Sequence, residues 1–324
     1  MPPREIRTLL LVKTSSLGDI VHNFPAVTDL VRNRPDITID WLVERPFADV
    51  VRLHPAVRHV PTVALRQWRR GLLSRTTWKD AFHTVAALRD GHYDAVVDSQ
   101  GLLKSAVLSR LARGPAWGAN FASAREAFAA ALYQRRVPVL WQQHAAYRNR
   151  ELMARLFNYP IPQDAPDYGL PAPDPQQGNT AVCFTATSRR SKLWPLASWR
   201  AVVQHLAHAG LQVCLPQASA EEEQAARAIQ HGIAGVTVLP RMSLASLAQV
   251  LAHARVVAGV DTGLVHLATA LSRPTVAIYV ASDPALNGAL AGARGQALNV
   301  GGLGRSPTVG DVLGALAEMD VACG

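Results

Sequence analysis

The chain has 324 residues, 49% of them apolar, which is more than one core usually holds, so two packed domains are expected. No apolar run approaches the roughly 20 residues that span a bilayer, no signal-peptide pattern opens the chain, and Cys183, Cys214 and Cys323 are too scattered for a disulfide framework or a metal cluster, so a cytosolic protein with idle thiols is expected. Residues 1–160 carry 23 Lys+Arg against 13 Asp+Glu and residues 161–324 carry 10 against 11, so the net +9 belongs to the first half, where it favours nucleic acid, an anionic membrane or an acidic substrate, or is simply a solvated basic face.

In chain order, residues 8–12 read as a strand, Val12-Lys13-Thr14-Ser15-Ser16-Leu17-Gly18-Asp19 as the small polar loop at its carboxyl end, and residues 20–32 as a helix. Ligands of open α/β sheets bind at such strand ends. Asp19 has two readings there: an N-cap, which position alone favours, and a general base at the mouth of a cleft. Residues 37–43 and 57–63 supply further strands, Arg66-Gln67-Trp68-Arg69-Arg70 is basic with one aromatic, and residues 77–90 read as a helix. Residues 93–98 form a strand ending in Asp98, and Ser99-Gln100-Gly101 turns into a helix over residues 102–112 that carries Lys104 in its first turn. Asp98 is read chiefly as a stabiliser of that turn, while Lys104 is placed to meet an anion. Helices are predicted over residues 124–134 and 142–157, with Arg125, Arg135, Arg136, Arg148 and Arg150 adding basic charge.

Residues 159–178 hold six prolines and no apolar periodicity, so the domains are drawn at 1–160 and 179–324 with a linker over 161–178. The alternation then restarts, with strands over 180–184, 211–215, 236–239, 255–260 and 275–279 and helices over 196–209, 220–231, 244–254 and 263–271. The result is an α/β protein of two Rossmann-like domains facing a central cleft.

Two loops of the second half converge on an anion. Asp261-Thr262-Gly263 starts a helix whose free N–H groups and dipole favour negative charge, and residues 185–194 bring Thr187, Ser188 and Lys192. Ordinary capping and a solvated lysine are the alternative. Glu221-Glu222-Glu223 is either a solvated helix face or an acceptor for ribose hydroxyls. Neither a Gly-x-Gly-x-x-Gly nor a Gly-Lys-Ser/Thr signature is present.

Together, Val12-Lys13-Thr14-Ser15-Ser16-Leu17-Gly18-Asp19, Asp98-Ser99-Gln100-Gly101-Leu102-Leu103-Lys104-Ser105, Lys192-Leu193-Trp194-Pro195 and Asp261-Thr262-Gly263-Leu264-Val265-His266-Leu267 resemble the bacterial lipopolysaccharide heptosyltransferases of glycosyltransferase family 9. The type I members are the nearest, through Ala124-Arg125-Glu126, Gln142-Gln143-His144-Ala145 and Leu239-Pro240-Arg241-Met242-Ser243-Leu244. The resemblance implies a GT-B fold, its last helix packing back on the first domain, and metal-independent, inverting transfer of L-glycero-D-manno-heptose from ADP-heptose to the inner Kdo of Kdo2-lipid A. It implies a monomer without cofactor, peripheral to the cytoplasmic face of the inner membrane, its basic half facing the anionic acceptor and membrane surface.

The resemblance turns the reading of Asp19 to catalytic base and assigns Lys192 to the pyrophosphate, where it offsets charge on departing ADP. It assigns Thr187, Ser188, Asp261, Thr262, Gly263 and His266 to the diphosphate and heptose, and Glu222 and Met242 to ribose and adenine. Ser15, Gly18, Arg66, Arg69, Arg70, Asp98, Gln100, Lys104 and Arg125 are the acceptor candidates. Three segments depart from the family pattern: Ala186-Thr187-Ser188-Arg189-Arg190-Ser191, Gln217-Ala218 and Val280-Ala281-Ser282. The competing readings are a type II or III acceptor and a noncatalytic binder of nucleotide-sugar or anionic glycolipid. Nucleic-acid binding is disfavoured because no recognition-helix, RNP or zinc pattern is present.

Overall fold

The computed structural model describes residues 5–71, 73–171 and 178–319. The chain divides into two units, residues 1–169 and 170–324.

The first unit runs β1 (Thr8–Val12), α1 (Leu17–Val21), α2 (Phe24–Asn33), β2 (Thr38–Glu44), α3 (Ala48–Val51), β3 (Val57–His59), β4 (Thr62–Val63), α4 (Leu65–Arg70), α5 (Arg75–Asp90), β5 (Ala95–Asp98), α6 (Leu103–Leu111), β6 (Ala116–Ala119), β7 (Arg135–Val137) and α7 (Ala145–Phe157). Its strands pair in parallel in the order β3-β2-β1-β5-β6-β7, with β4 beside β2. Leu9, Leu10, Leu11 and Val12 are all fully buried, the near-continuous apolar run that a central parallel strand covered on both faces requires. The strand order reverses direction between β1 and β5, and Val12 pairs with Asp98 there, so the loops leaving the two strands lie side by side.

The helix read over residues 20–32 is two helices. Asn23 occupies the N-cap position of α2 without a side-chain cap hydrogen bond and Pro25 stands in its first turn, and a proline inside one continuous helix would have removed a hydrogen bond and clashed with the turn before it. The helix read over residues 124–134 is also corrected, to a 3-10 stretch at Ala127–Leu132. Glu126 N–H donates to Gly101 O at 2.9 Å and its carboxylate accepts from Leu103 N at 2.6 Å, so tertiary contacts hold this segment against the start of α6.

Residues 161–169 pack on the first unit. Arg150, buried, donates to Asp29 at 2.6 Å and to Asp164 at 2.7 Å, and Arg32 pairs with Asp167. At Gly169, φ is +67° and a Cβ would lie 2.4 Å from Thr28 Oγ1 and 2.5 Å from His54 Nε2, so only glycine fits. Of the proline-rich segment, residues 172–177 lie outside the described residues.

The second unit runs β8 (Thr180–Phe184), α8 (Leu196–His208), β9 (Gln212–Leu215), α9 (Ala220–Gln230), β10 (Val236–Val238), α10 (Leu244–Ala252), β11 (Val256–Val260), α11 (Gly263–Ala270), β12 (Thr275–Tyr279), α12 (Pro284–Asn287), β13 (Ala297–Gly301) and α13 (Val309–Glu318). Its parallel order is β10-β9-β8-β11-β12-β13, reversing between β8 and β11, where Phe184 pairs with Gly259. Val312, Ala315 and Leu316 of α13 join the core formed by Trp199, Val213, Val256 and Ile278. The apolar face of the last described helix enters this core. Each unit thus has the 3-2-1-4-5-6 strand order of a Rossmann fold, whose ligand crevice lies at the carboxyl ends of the strands flanking the reversal.

Candidate active site

In the first unit the reversal point brings the β1 loop onto the β5 loop. Lys13 Nζ donates to Ser99 O at 3.0 Å, and Thr14 gives both its N–H and its hydroxyl to Gln100 Oε1 at 2.8 Å. Asp98 closes the second loop: Oδ1 accepts from the N–H groups of Gln100 and Gly101 (2.8 and 3.1 Å), and Oδ2 accepts from Ser105 Oγ and Tyr133 Oη (2.7 and 2.6 Å). Burial pushes the Asp98 carboxyl upward against those donors. With four donors on one carboxylate its acceptor capacity is spent, so Asp98 shapes the turn and is not free to hold an acceptor.

Asp19 stands in the first turn of α1. Its Oδ2 accepts from the Ser16 N–H at 3.0 Å and the Ser16 hydroxyl at 2.9 Å, while Oδ1 has no hydrogen bond among the described residues. The cap of this helix is therefore Ser16, with Asp19 reaching back to it from the third helical position; Asp19 is not itself the N-cap. Burial alone would raise its pKa, but the Lys13 ammonium and the two bonds from Ser16 outweigh burial and hold the carboxyl below its ordinary value. Lys13 is buried, and burial lowers its pKa although Asp19 and Asp98 pull it back up.

Lys13, Asp19, Asp98 and Ser99 line a cavity, open in part to solvent, whose wall also includes Gln100, Arg125, Trp141 and Arg148. Arg148 is held by the carbonyls of Trp141 and Gln143 (3.1 and 2.9 Å) and stacks 4.6 Å over the Trp141 ring. One carboxylate oxygen is thus presented beside three cations, Lys13, Arg125 and Arg148. Such a site attracts an anion and accepts a proton from a hydroxyl bound next to it.

Of the acceptor candidates, Gln100 and Arg125 join Asp19 at this cavity, Asp98 lines it with its carboxylate already engaged, and Ser15 and Gly18 belong to the loop and first turn that carry Asp19. Arg66, Arg69 and Arg70 lie exposed on α4, and Lys104 is exposed on α6; none lines the cavity.

In the second unit the loop after β8 meets the loop after β11. Lys192 Nζ donates to Asp261 Oδ2 at 2.5 Å, the Ser282 hydroxyl donates to the same oxygen at 2.5 Å, and Thr187 Oγ1 donates to Asp261 O at 3.0 Å. Lys192 and Asp261 keep side-chain exposures of 21% and 14%, so both remain reachable by a ligand. Thr262 precedes the first turn of α11, Gly263 opens it, and His266 is buried a turn further on. The N-terminus of α11 supplies N–H groups and positive dipole to an anion, and Lys192 supplies the full charge.

The remaining donor candidates share this edge of the sheet without joining the Lys192–Asp261 pair. Ser188 is exposed in the same loop as Thr187. Glu222 spends Oε2 on the Ala218 N–H at 2.7 Å, closing the start of α9, and leaves Oε1 available. Met242 sits half-buried between β10 and α10. Sequence reasoning missed Lys13, Tyr133, Arg148 and Ser282 as site groups, and only Lys13 carried a usable signal, its place at the end of β1. Among the described residues no three His, Cys, Asp or Glu side chains gather as a metal cage would need.

The profile of glycosyltransferase family 9, described as heptosyltransferase, matches residues 82–310, so the chain belongs to that family and is a glycosyltransferase. It is 43% identical over 289 residues to lipopolysaccharide heptosyltransferase 1 of Pseudomonas aeruginosa, an alignment covering 87% of this chain and 81% of that one. The solved structure of the Escherichia coli heptosyltransferase WaaC with ADP superposes with a TM-score of 0.89 at 40% identity, covering 96% of this chain and 99% of that one. The same protein with ADP-2-deoxy-2-fluoro heptose gives 0.84 at 38% identity over 97% and 98% of the two chains. Paired parallel sheets with this likeness make the fold a GT-B fold, as the resemblance implied.

Proposed function

We propose that the chain transfers L-glycero-D-manno-heptose from ADP-heptose to the inner Kdo of Kdo2-lipid A, with inversion, in assembly of the lipopolysaccharide inner core. The observation that carries the reading is the Asp19 carboxylate, with Oδ2 held by Ser16 and Oδ1 without a hydrogen bond among the described residues, at a cavity that Lys13, Arg125 and Arg148 also line. The names of the Pseudomonas relative and of the two ligand-bound Escherichia coli structures support the sugar, the nucleotide and the pathway.

In this mechanism Asp19 takes the proton of the acceptor hydroxyl as that oxygen attacks the anomeric carbon of the donor. The anomeric C–O bond breaks on the opposite face, its electron pair leaves on the β-phosphate of ADP, and the new glycosidic bond is inverted. An ionised carboxylate at neutral pH is ready to accept the proton, and such a base contributes roughly 10²- to 10⁴-fold. Lys192 leaves Asp261 to offset charge on the departing diphosphate, assisted by the N-terminus of α11, and Asp261 turns to a heptose hydroxyl. Thr187, Ser188, Thr262, Gly263 and His266 complete the diphosphate and sugar contacts, and Glu222 and Met242 the ribose and adenine. Ser15, Gly18, Gln100 and Arg125 form the inner acceptor site. Arg66, Arg69, Arg70 and Lys104 act further out on its phosphates and on the cytoplasmic face of the inner membrane. Among the described residues no helix is long and apolar enough to cross a membrane.

The test is product formation from ADP-heptose and Kdo2-lipid A, with and without a chelator. The expected result is release of ADP with a glycolipid heavier by one heptose, insensitive to chelation. Product only from an already heptosylated acceptor would move the reading to type II or III, and donor binding without turnover on any acceptor would favour the noncatalytic binder.

A further inference from the structure

The longest helix of the first unit, α5, has one face turned to the core and one turned outward. Leu88 is buried, and Trp68 Nε1 donates to Asp80 Oδ2 at 2.7 Å, fixing α4 against α5; Arg45 closes the same carboxylate at 2.9 Å. The outward face is not the polar one expected of a solvated helix. Phe82 is 72% exposed and Trp78, one turn earlier, 63% exposed; their i, i+4 spacing puts the two rings on one stripe. At 100° per residue, Arg89 falls in line with that stripe while Arg75 and Lys79 border it on one side, and all three are exposed. Leu73, fully exposed, precedes the helix, and Arg66, Arg69 and Arg70 are exposed on α4 beside it. Residues 65–90 hold six Lys+Arg against two Asp+Glu, one of which, Asp80, is already paired.

We infer that the α4–α5 face is a membrane-docking surface that takes an anionic bilayer, Trp78 and Phe82 entering the headgroup–acyl boundary while the surrounding cations meet lipid phosphates. Aromatic side chains on an otherwise basic helix face are the combination by which an interfacial helix holds to anionic lipid. A convex helix face offers no groove for a peptide, and the rings sit at its centre instead of interleaving with a strand of bases, so a bilayer fits it better than a protein or a nucleic acid. The surface is separate from the Asp19 cavity, none of whose lining residues it includes. It gives the peripheral location proposed above a place on the molecule and rests on that reading, and its binding assay uses neither nucleotide nor glycolipid, so the two readings fail independently.

The experiment is co-sedimentation of the full chain with vesicles of phosphatidylcholine alone and of phosphatidylcholine with phosphatidylglycerol, at low and high salt, and with an RNA oligomer in parallel. Binding is expected to the anionic vesicles, weakening as salt screens the cations. Trp78→Ser with Phe82→Ser is expected to cut that binding about tenfold or more, and Arg75→Gln with Lys79→Gln and Arg89→Gln to reduce it and weaken its salt dependence. Because these side chains are exposed, circular dichroism should show both variants folded, and transfer to a water-soluble acceptor lacking acyl chains should be unchanged. No binding to anionic vesicles, vesicle binding that survives both sets of substitutions, or capture of the RNA in place of vesicles would each overturn the inference.

Discussion

The two units repeat one topology, and the same place in it, the reversal point of the strand order, holds opposite arrangements of charge. In the first, the carboxylate of interest, Asp19, keeps one oxygen unengaged and sits among cations whose charge holds it ionised. In the second, Asp261 is already closed on Lys192 and Ser282, so its charge is balanced before any ligand arrives. A free carboxylate oxygen suits proton removal. A closed ion pair suits a donor site that must exchange its internal anion for a diphosphate, because Lys192 is kept in place and desolvation is shared until the ligand replaces Asp261. In the proposed mechanism the residues set on the loops decide which reversal point does acid–base work and which holds charge.

The comparison breaks first at Asp19. Asp19→Asn keeps the bond to Ser16 but cannot take a proton, and steady-state transfer should fall by roughly 10²- to 10⁴-fold; activity within a few-fold of the unmodified chain would remove Asp19 as the base. The units should also separate in acid. Burial, opposed by Asp167, pushes the first unit's His54 down to about 4 from an ordinary 6.5, so the unfolded chain takes up the proton before the folded one does. Stability is then present above about pH 6.5 and lost as pH falls toward 4, by about 3 kcal/mol. Denaturant unfolding followed across that range should show the loss, and His54→Gln should flatten it.

A smaller effect sharpens the second site. Lys192→Ala removes a charge-assisted contact worth roughly 1.5–3 kcal/mol, so the donor KM should rise and turnover fall by about ten- to a hundredfold; steady-state kinetics with the donor varied would read it. The smallest concerns the charge around Asp19. Lys13→Met removes the cation that lowers its pKa, so the acid limb of the pH–rate profile should move to higher pH. An unmoved limb would mean that Lys13 serves only to tie its loop to Ser99.

Much of this was legible in the sequence where burial is two-sided. The stretch 8–12 and the stretches 180–184 and 275–279 read directly as strands because parallel strands covered on both faces carry apolar residues at consecutive positions. Strands β6 and β7 did not, since Ala116-Trp117-Gly118-Ala119 and Arg135-Arg136-Val137 are too short and too small or charged to show a pattern. Nor did β13 and α13, which lie beyond the last segment that the alternation reached. At the sites, Asp19, Lys192 and Asp261 were visible as polar residues at strand ends. The partners of Lys13, Asp98 and Asp261 were less visible, because Ser99, Tyr133 and Ser282 reach them from 86, 35 and 21 residues away, and local spacing carries no record of such pairings.

The division of labour between the two reversal points is tested most directly by titrating ADP into the unmodified chain, Asp19→Asn and Lys192→Ala and comparing the three dissociation constants. The account predicts equal affinity for the first two and a loss of about tenfold or more for the third. Weakening by Asp19→Asn as large as that by Lys192→Ala, or unchanged affinity in Lys192→Ala, would contradict it.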